Sequence, residues 1–285
     1  MINTLYVSDL DGTLLTSQEK TSDFTNQTIT NLVNKGMLFS YATARSYHTA
    51  LKVTKGLDAH IPLIVYNGTL IVDSYDGKVM RANYFQNHEV QEIVDHLIAH
   101  GVYPIVYSFI DQVEKFSFVE QYISSSTQDF LQTRKGDKRT NAIDDIKDLT
   151  KGDCFYITCI DKKEKLEPLY HHYQEKYHCV FQKDIYLHSQ WLEIMPPNAS
   201  KSCAIQQLKE ILNCQRLIVF GDGVNDIDMF EIADEAYAVD NAVDQLKEIA
   251  TDVILDHDED GVAHWLIENV KIEEINNDLH NKRLS

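Results

Sequence analysis

The chain has 285 residues, of which 44% are hydrophobic, and this length suits one large domain or two smaller ones. Its formal net charge of −18 argues against nucleic acid or an anionic membrane as the main partner. The five cysteines include no Cys-x-x-Cys pair, and no apolar run approaches the roughly 20 residues that span a bilayer. We therefore expect no disulfide framework, no zinc site and no membrane segment. Since no signal peptide is evident, we expect a cytoplasmic protein.

The first part of the chain alternates short apolar runs with helical patterns. Strands are predicted at Leu5–Ser8, Met37–Ala42 and Ile61–Tyr66, and helices at Thr25–Lys35 and Ser46–Lys55. A glycine follows each helix, and glycine suits the left-handed backbone that often ends a helix. Such an alternation implies a parallel sheet with helices on both faces.

The pattern changes near residue 69. Two strand-like runs flank Asp76-Gly77, which is a strong hairpin signal, and an amphipathic helix then ends at Gly101. This mixture of hairpins and helices predicts a separate α+β unit inserted into the α/β domain. Its further predicted elements are strands near 103–109, 113–118, 154–160, 179–182 and 185–188, and a helix near 163–177.

The alternation of strands and helices returns after residue 190. A strand at Trp191–Met195 precedes a helix at Ser200–Leu212, and a compact apolar strand at Leu217–Phe220 follows. The remaining predicted elements are helices near 226–233, 243–250 and 259–270 and strands near 237–239 and 253–255. The chain from Lys271 is charged and rich in amides, and we expect it to be frayed. The whole pattern predicts an α/β fold.

An acidic run, Asp-Leu-Asp-Gly-Thr at Asp9–Thr13, follows the first strand. In an extended chain Asp9 and Asp11 share one side. Two close carboxylates repel each other, so a cation or a proton must offset their charge. Such a pair suits Mg²⁺ binding, with one carboxylate as nucleophile and the other as acid and base. Taken alone, the run is equally typical of a turn that closes a strand.

A second acidic run, Gly-Asp-Gly-Val-Asn-Asp at Gly221–Asp226, follows the strand at Leu217–Phe220. Ligand sites in parallel α/β sheets gather outside the carboxyl ends of the strands, so neighbouring strands would bring both acidic runs into one crevice. Oxygen ligands favour Mg²⁺ or Ca²⁺ over zinc. A dinucleotide-binding loop is disfavoured because Asp226 replaces its third glycine, and a calcium loop would need a bidentate glutamate that is missing.

Four motifs together resemble those of the haloacid dehalogenase (HAD) superfamily. They are Asp9–Thr13, Thr43, Lys201 and Gly221–Asp226, and they occur in the order of that family. The insert between the second and third motifs resembles the type C2 (C2B) cap of the Cof-like phosphatase branch. Further features similar to this branch are Tyr66-Asn67-Gly68, Leu192-Glu193-Ile194, Asn241-Ala242 and Asp260-Gly261-Val262-Ala263.

The chain departs from the branch at three places near these motifs. Ala44 and Asp240 stand where glycine is usual, and Pro197–Ser202 replaces a more common Lys-Gly-Val-Ser-Lys-Gly pattern. None of the three departures removes a catalytic group. We expect them to change the shape of the entrance to the substrate site instead.

The resemblance implies phosphoryl transfer through an aspartyl-phosphate. Asp9 would be the nucleophile, and Asp11 would protonate the leaving oxygen and then deprotonate the attacking water. Mg²⁺ would be bound by the Asp9 carboxylate, the Asp11 backbone carbonyl and Asp222. Asp226 would support the metal through water or Lys201, although a helix cap is its ordinary structural alternative.

Four residues are implied to bind the substrate phosphate, and each has an ordinary structural alternative. Thr43 is also typical of a strand end, and Lys201 of a solvated first turn of a helix. Asn67 is also typical of a turn, and Asn225 of a helix cap. A cation is unfavourable in the first turn of a helix, which argues for an anionic partner of Lys201.

We predict a Rossmann-like parallel-sheet core, residues 1–82 and 190–285, and an inserted α+β cap, residues 83–189. The resemblance implies that the cap selects the substrate by closing over the site. A basic stretch in the cap either attracts an anionic substrate or is a solvated loop. This stretch consists of Arg134, Lys135, Lys138 and Arg139.

The predicted function is Mg²⁺-dependent hydrolysis of small phosphorylated metabolites. Sugar phosphates are the first substrate class, followed by flavin mononucleotide and pyridoxal phosphate. Two alternatives stay open: a phosphomutase, which shares the acid Asp11, and a phosphorylatable signalling module, which also groups aspartates with a threonine and a lysine.

Overall fold

The computed structural model describes residues 3–183 and 189–271. The strand predicted near Ile185–His188 and the tail predicted beyond Lys271 lie outside these residues. The chain divides into two compact units. The first unit combines the residues up to 81 with those from 200 onward, and the second unit consists of residues 82–199.

The described residues form strands and helices throughout both units. The strands are β1 (Thr4–Ser8), β2 (Leu38–Tyr41), β3 (Leu63–Val65), β4 (Leu70–Val72), β5 (Val79–Ala82), β6 (Ile105–Ile110), β7 (Val113–Val119), β8 (Thr140–Ile143), β9 (Asp153–Asp161), β10 (His178–Lys183), β11 (Gln190–Met195), β12 (Arg216–Gly221), β13 (Glu235–Val239) and β14 (Asp252–Ile254). The helices are α1 (Asp23–Asn34), α2 (Tyr47–Val53), α3 (Asn87–Ala99), α4 (Ser125–Thr133), α5 (Lys163–Tyr173), α6 (Lys201–Ile211), α7 (Ile227–Ile232), α8 (Asp244–Ile249) and α9 (Gly261–Asn269).

The first unit is built on a five-stranded parallel sheet in the order β14-β13-β12-β1-β2. Strands β1 and β12 are neighbours at its centre, and Ser8 pairs with Phe220 where both strands end. Val7 and Val219 are completely buried, as expected for parallel strands covered on both faces. The segments that follow β1 and β12 therefore leave the sheet side by side.

A small three-stranded sheet, in the order β3-β4-β5, completes the strands of the first unit. Strands β3 and β4 are antiparallel, and β4 and β5 flank the predicted Asp76-Gly77 turn. A parallel bridge between Ala42 and Ile64 links the end of β2 to β3. This bridge brings the segment after β2, which contains Thr43, next to the end of β3.

The second unit contains a six-stranded sheet in the order β10-β11-β9-β6-β7-β8. Its pairs are antiparallel except for the parallel pair β7 and β8. Apolar residues of α3 and α5, such as Leu97 and Leu166, join apolar strand residues, such as Ile157 and Leu192, in one buried cluster. The predicted α/β fold, with a parallel-sheet core and an additional α+β unit, is confirmed.

The placement of the strand at Trp191–Met195 in the parallel core was wrong. This segment forms β11, which pairs antiparallel with β9 and β10 inside the second sheet. Leu192 lies opposite Cys159 of β9, and both are completely buried. The second unit therefore ends at Ala199, whereas the predicted boundary was 189/190. An apolar strand buries its side chains in either sheet, so its composition does not identify its partner strands.

In the described part of the chain, none of the helices has the length and apolar character needed to cross a membrane.

Candidate active site

The two acidic runs meet where the central strands of the first unit end. Asp9 follows β1, and its backbone N–H donates to the Phe220 carbonyl of β12 at 2.9 Å. One carboxylate oxygen from each of Asp9, Asp222 and Asp226 lies within 4.8 Å of the other two. The adjacency of β1 and β12 therefore creates a cluster of three carboxylates from two distant parts of the chain.

Lys201 is the cation of this cluster. Its Nζ lies 2.7 Å from Asp9 Oδ1 and 2.7 Å from Asp226 Oδ1, and the side chain is only 1% exposed. Burial by itself lowers the pKa of Lys201, but the carboxylates of Asp226 and Asp9 outweigh it and raise that pKa above its ordinary value. Lys201 is thus a buried side chain held by two carboxylates and not a solvated lysine.

The position of Lys201 follows from how α6 begins. Ser200 precedes the helix, and its hydroxyl accepts the backbone N–H of Cys203 at 3.1 Å. Asp228 of α7 accepts the N–H of Ser202 at 3.1 Å, so a carboxylate also lies at this positively polarised helix end. These caps fix the first turn of α6, from which Lys201 reaches Asp9.

Asp226 holds the lysine and the second acidic run together. Its Oδ1 accepts from Lys201, while its Oδ2 accepts the backbone N–H groups of Asp222 and Gly223 at 3.0 Å each. The residue is completely buried. Its partners fit both predicted roles, support of the site through Lys201 and capping of the turn at Gly223.

Asp222 is packed tightly against the first acidic run. Thr13 Oγ1 donates to Asp222 Oδ1 at 2.6 Å. A Cβ at residue 12 would lie 2.4 Å from Asp222 Oδ2, and Gly12 has a φ of +78°, so both space and backbone require glycine there. Burial and the nearby Asp226 raise the pKa of Asp222 to about 7, against the hydrogen bond from Thr13.

The carboxylate cluster has the chemistry of a hard-cation site. Burial, and after it the charges of Asp226 and Asp222, raise the pKa of Asp9 well above its usual value, although Lys201 opposes the shift. A cation bound to these oxygens would relieve the repulsion. The donors are oxygens alone, which Mg²⁺ and Ca²⁺ prefer, so Asp9 and Asp222 fit a divalent metal.

Asp11 has a partner that sequence reasoning missed. Arg45 donates from Nε to Asp11 Oδ2 at 2.7 Å and from Nη2 to Asp11 Oδ1 at 2.5 Å, and it also lies 3.5 Å from Glu19. This two-point contact fixes the plane of the carboxylate. The available signal was the position of Arg45 two residues after the predicted phosphate-binding Thr43.

Thr43 and Asn67 lie together beside this pair. Thr43 is completely buried, and its Oγ1 accepts the backbone N–H of Arg45 at 3.1 Å, which leaves the hydroxyl hydrogen for another acceptor. The N–H of Asn67 donates to the Thr43 carbonyl at 2.9 Å.

The turn that contains Asn67 has an unusual backbone. Tyr66 and Asn67 both have a φ of 51°, and Gly68 has a φ of +90°. A Cβ at Gly68 would lie 2.0 Å from the Ser200 carbonyl, so this turn also touches the start of α6.

Asn225 is half-buried in the short turn at Val224–Asp226 that follows β12. Its Oδ1 lies over Gly223, 2.6 Å from the place of a Cβ there. Asn225 therefore lies directly before Asp226 of the carboxylate cluster, with its side-chain oxygen over Gly223.

The four residues of the basic stretch in the second unit differ in how exposed they are to solvent. Arg139 is buried, with Nη1 2.6 Å from Glu114 and Nη2 2.6 Å from Asp137, so the solvated-loop alternative was wrong for this residue. The Arg134 guanidinium lies 4.7 Å from the centre of the Phe130 ring. Lys135 and Lys138 are exposed, as that alternative predicted.

Comparisons with known proteins show the family of the chain. A family model described as haloacid dehalogenase-like hydrolase matches residues 6–266. The chain is 26% identical over 273 residues to the Bacillus subtilis protein named 5-amino-6-(5-phospho-D-ribitylamino)uracil phosphatase YitU, with 93% of this chain and 96% of that protein covered. A second Bacillus subtilis phosphatase with the same substrate in its name, YwtE, is 28% identical over 281 residues, with 90% and 95% covered.

Solved structures show the same fold. A protein from Thermotoga maritima superposes with a TM-score of 0.76 at 24% identity and covers 96% of this chain and 99% of its own. A haloacid dehalogenase-like hydrolase from Bacteroides thetaiotaomicron has a TM-score of 0.76 at 23% identity, with 94% and 99% covered.

Proposed function

The chain belongs to the haloacid dehalogenase-like hydrolases, and from this premise we propose that it is a Mg²⁺-dependent phosphatase of small phosphorylated metabolites. The observation that carries the proposal is the Lys201 ammonium shared by Asp9 and Asp226, with Asp222 beside them. In this arrangement the positive charge of Lys201 lies next to the carboxylate nucleophile Asp9. An anionic nucleophile needs such a charge because it is otherwise repelled by an anionic phosphate.

The reaction takes two steps at Asp9. In the first, a carboxylate oxygen of Asp9 forms a bond to phosphorus, the bond from phosphorus to the ester oxygen breaks, and Asp11 gives its proton to that leaving oxygen. In the second, Asp11 takes a proton from water, the water oxygen bonds to phosphorus, and the bond to Asp9 breaks. When Asp11 is ionised, Arg45 orients it by donating to both of its carboxylate oxygens.

Mg²⁺ would be held by the carboxylates of Asp9 and Asp222 and by the backbone carbonyl of Asp11, and it would offset charge on the transferring phosphoryl group. Asp226 acts through Lys201 and through the amides that it accepts. Thr43 donates its hydroxyl to a phosphoryl oxygen, while Asn67 and Asn225 are assigned to the edge of the phosphate site.

Sugar phosphates and related compounds are the proposed substrate class. Two relatives are named as phosphatases of a compound that carries a phospho-D-ribityl group, which is a phosphorylated sugar alcohol. Flavin mononucleotide carries its phosphate on the same kind of chain and ranks next, followed by pyridoxal phosphate. We assign the second unit to the choice among them.

The test is Mg²⁺-dependent release of phosphate from a generic aryl phosphate. Asp9→Asn removes the nucleophile but keeps its size, and we expect it to abolish turnover. The matched control is Asp129→Asn, which makes the same change at an exposed position of α4 and should keep wild-type activity. Full activity of Asp9→Asn, or full activity in excess chelator, would overturn the mechanism.

A substrate panel then distinguishes the remaining alternatives. A phosphatase releases inorganic phosphate and ranks the panel by kcat/KM. A phosphomutase returns an isomerised phosphosugar, and a signalling module retains the phosphate on Asp9 with little turnover. We expect phosphate release, with the highest kcat/KM among phosphorylated sugars and sugar alcohols.

A further inference from the structure

A single loop of the first unit is hydrogen-bonded to both acidic runs. It joins β13 to α8, and its Asn241 donates from Nδ2 to the Gly12 carbonyl at 2.7 Å. Two residues later, the backbone N–H of Val243 donates to the Asp222 carbonyl at 2.9 Å. The loop is thus hydrogen-bonded both to the segment after β1 and to the segment after β12.

Both ends of the Asn241 amide are used. Its Oδ1 accepts the backbone N–H of His257 at 3.1 Å. A carbonyl can only accept and a backbone N–H can only donate, so the two partners also determine which end of the amide is nitrogen. No other side chain of this size offers one donor and one acceptor in this arrangement, which gives a physical reason for asparagine at this position.

The same region anchors the rest of the loop that follows β1. His257 Nδ1 lies 2.7 Å from the Leu15 carbonyl, and the Asp258 carboxylate accepts the backbone N–H of Ser17 at 2.7 Å. Asp260 accepts the hydroxyl groups of Ser22 at 2.6 Å and Thr25 at 2.8 Å. The chain from residue 12 to residue 25 is therefore tied at successive points to Asn241 and to residues 257–260.

Gly12 is the place where this anchoring matters most. Because glycine has no side chain, its backbone resists rotation less than that of other residues, and Gly12 lies between Asp11 and Thr13, whose hydroxyl donates to Asp222. Rotation at Gly12 would move the Asp11 backbone carbonyl and the Thr13 hydroxyl together. The bond from Asn241 restrains the Gly12 carbonyl and so opposes that rotation.

We propose that Asn241 is a positioning residue for the reaction: it holds the Gly12 peptide so that the acidic run after β1 stays in register with Asp222. This inference rests on the proposed function. Displacement of reacting groups by about 1 Å can cost a factor of 10² in rate, and loss of residues that orient metal ligands commonly costs 10–100-fold in affinity or activity.

The test uses Asn241→Asp, which is nearly the same size. The aspartate still accepts from His257 but loses the donor to Gly12 and places an oxygen against the Gly12 carbonyl. We expect kcat for a generic aryl phosphate to fall about 10–100-fold with KM changed less than about threefold. We also expect the dissociation constant for Mg²⁺, measured by calorimetry without substrate, to rise about tenfold or more.

Two further variants keep the test decisive. Asn241→Ala removes both hydrogen bonds without adding charge, and it replaces Asn241→Asp if the latter does not fold, as judged by circular dichroism. Asn31→Asp makes the same chemical change at an exposed position of α1 and should match the wild type in every measurement.

Each outcome has a definite meaning. A lower melting temperature with wild-type kcat and wild-type Mg²⁺ affinity overturns the proposal, because the role is then structural alone. A higher KM at unchanged kcat also overturns it, because Asn241 then contacts substrate. If the wild type binds Mg²⁺ but hydrolyses no phosphomonoester, the proposed function fails, while the calorimetric comparison still measures the effect of Asn241.

Discussion

At the scale of single residues, the Asp11 carboxylate is held on both oxygens by one guanidinium. Asp11 and Arg45 are 34 positions apart, and each is partly exposed. A planar fork restrains a carboxylate in a way that the point charge of a lysine does not. The acid and base of the proposed reaction therefore has a fixed orientation in the first unit.

Asn67 provides a residue-scale prediction that separates its backbone role from its side-chain role. Its φ of 51° lies in the left-handed region, which glycine adopts freely and alanine at a cost of about 1–2 kcal/mol. We expect Asn67→Ala to be less stable than Asn67→Gly by about 1 kcal/mol in denaturant titrations. We also expect Asn67→Gly to raise KM for an aryl phosphate several-fold, because the proposed contact to substrate is lost. A wild-type KM in Asn67→Gly would leave Asn67 as a turn residue only.

The sequence predicted part of this residue-level picture. The clustering of Asp9, Asp222 and Asp226 could be predicted because acidic ends of parallel strands share one edge of a sheet. The ion pair between Asp11 and Arg45 was missed: the position of Arg45 two residues after Thr43 indicates that it lies near the site, but it does not specify which carboxylate it meets. The roles proposed for these residues in catalysis stay predictions until they are measured.

At the scale of elements, three histidines meet where α3 and α5 pack together in the second unit. The His96 ring centre lies 4.4 Å from that of His100 and 4.4 Å from that of His172. His96 Nδ1 also lies 2.7 Å from the Tyr173 hydroxyl. Burial, and after it the charges that His172 and His100 gain on protonation, lower the pKa of His96 below its ordinary value.

This contact predicts a pH dependence of stability. Because the pKa of His96 is lower in the folded than in the unfolded chain, folding opposes protonation, and stability is lost as the pH falls below about 6.5. We expect the melting temperature to fall less between neutral and mildly acidic pH in His172→Gln than in the wild type. His171→Gln is the control, since His171 is exposed and bonds Gln174. Identical pH profiles for His172→Gln and the wild type would contradict the prediction.

The strand β11 shows the limit of sequence reasoning at this scale. Its apolar composition identified it as a buried strand, and it is one. Its assignment to the parallel sheet failed because composition does not specify partner strands: β11 pairs with β10, which directly precedes it, and with β9, which is separated from it by α5 and β10. The pairing of the central strands β1 and β12 was easier to predict. The acidic motifs that follow these strands can share one crevice only if the strands are neighbours.

At the scale of the whole molecule, a cation bound at the carboxylate cluster would link metal binding to stability. A ligand that binds only the folded state at a hundred times its dissociation constant adds about 2.7 kcal/mol to the free energy of unfolding. We expect saturating Mg²⁺ to raise the melting temperature of the wild type. Asp222→Asn should be more stable than the wild type in chelator, because it removes a partly buried carboxylate with a raised pKa, and should gain less from Mg²⁺.

Thermal melts in chelator and in Mg²⁺ measure both effects. Asp129→Asn, exposed on α4, should respond to Mg²⁺ as the wild type does. An equal Mg²⁺ response in Asp222→Asn would place the cation elsewhere.

The single positive charge of Lys201 does not balance the negative charge of the carboxylate cluster. It is shared by Asp9 and Asp226, and Asp222 stands close to both, so the ionised cluster still lacks two positive charges. A sodium or potassium ion would supply only half of that deficit, and a trivalent ion would exceed it. We therefore expect the fully ionised cluster to favour a divalent cation on the basis of charge alone.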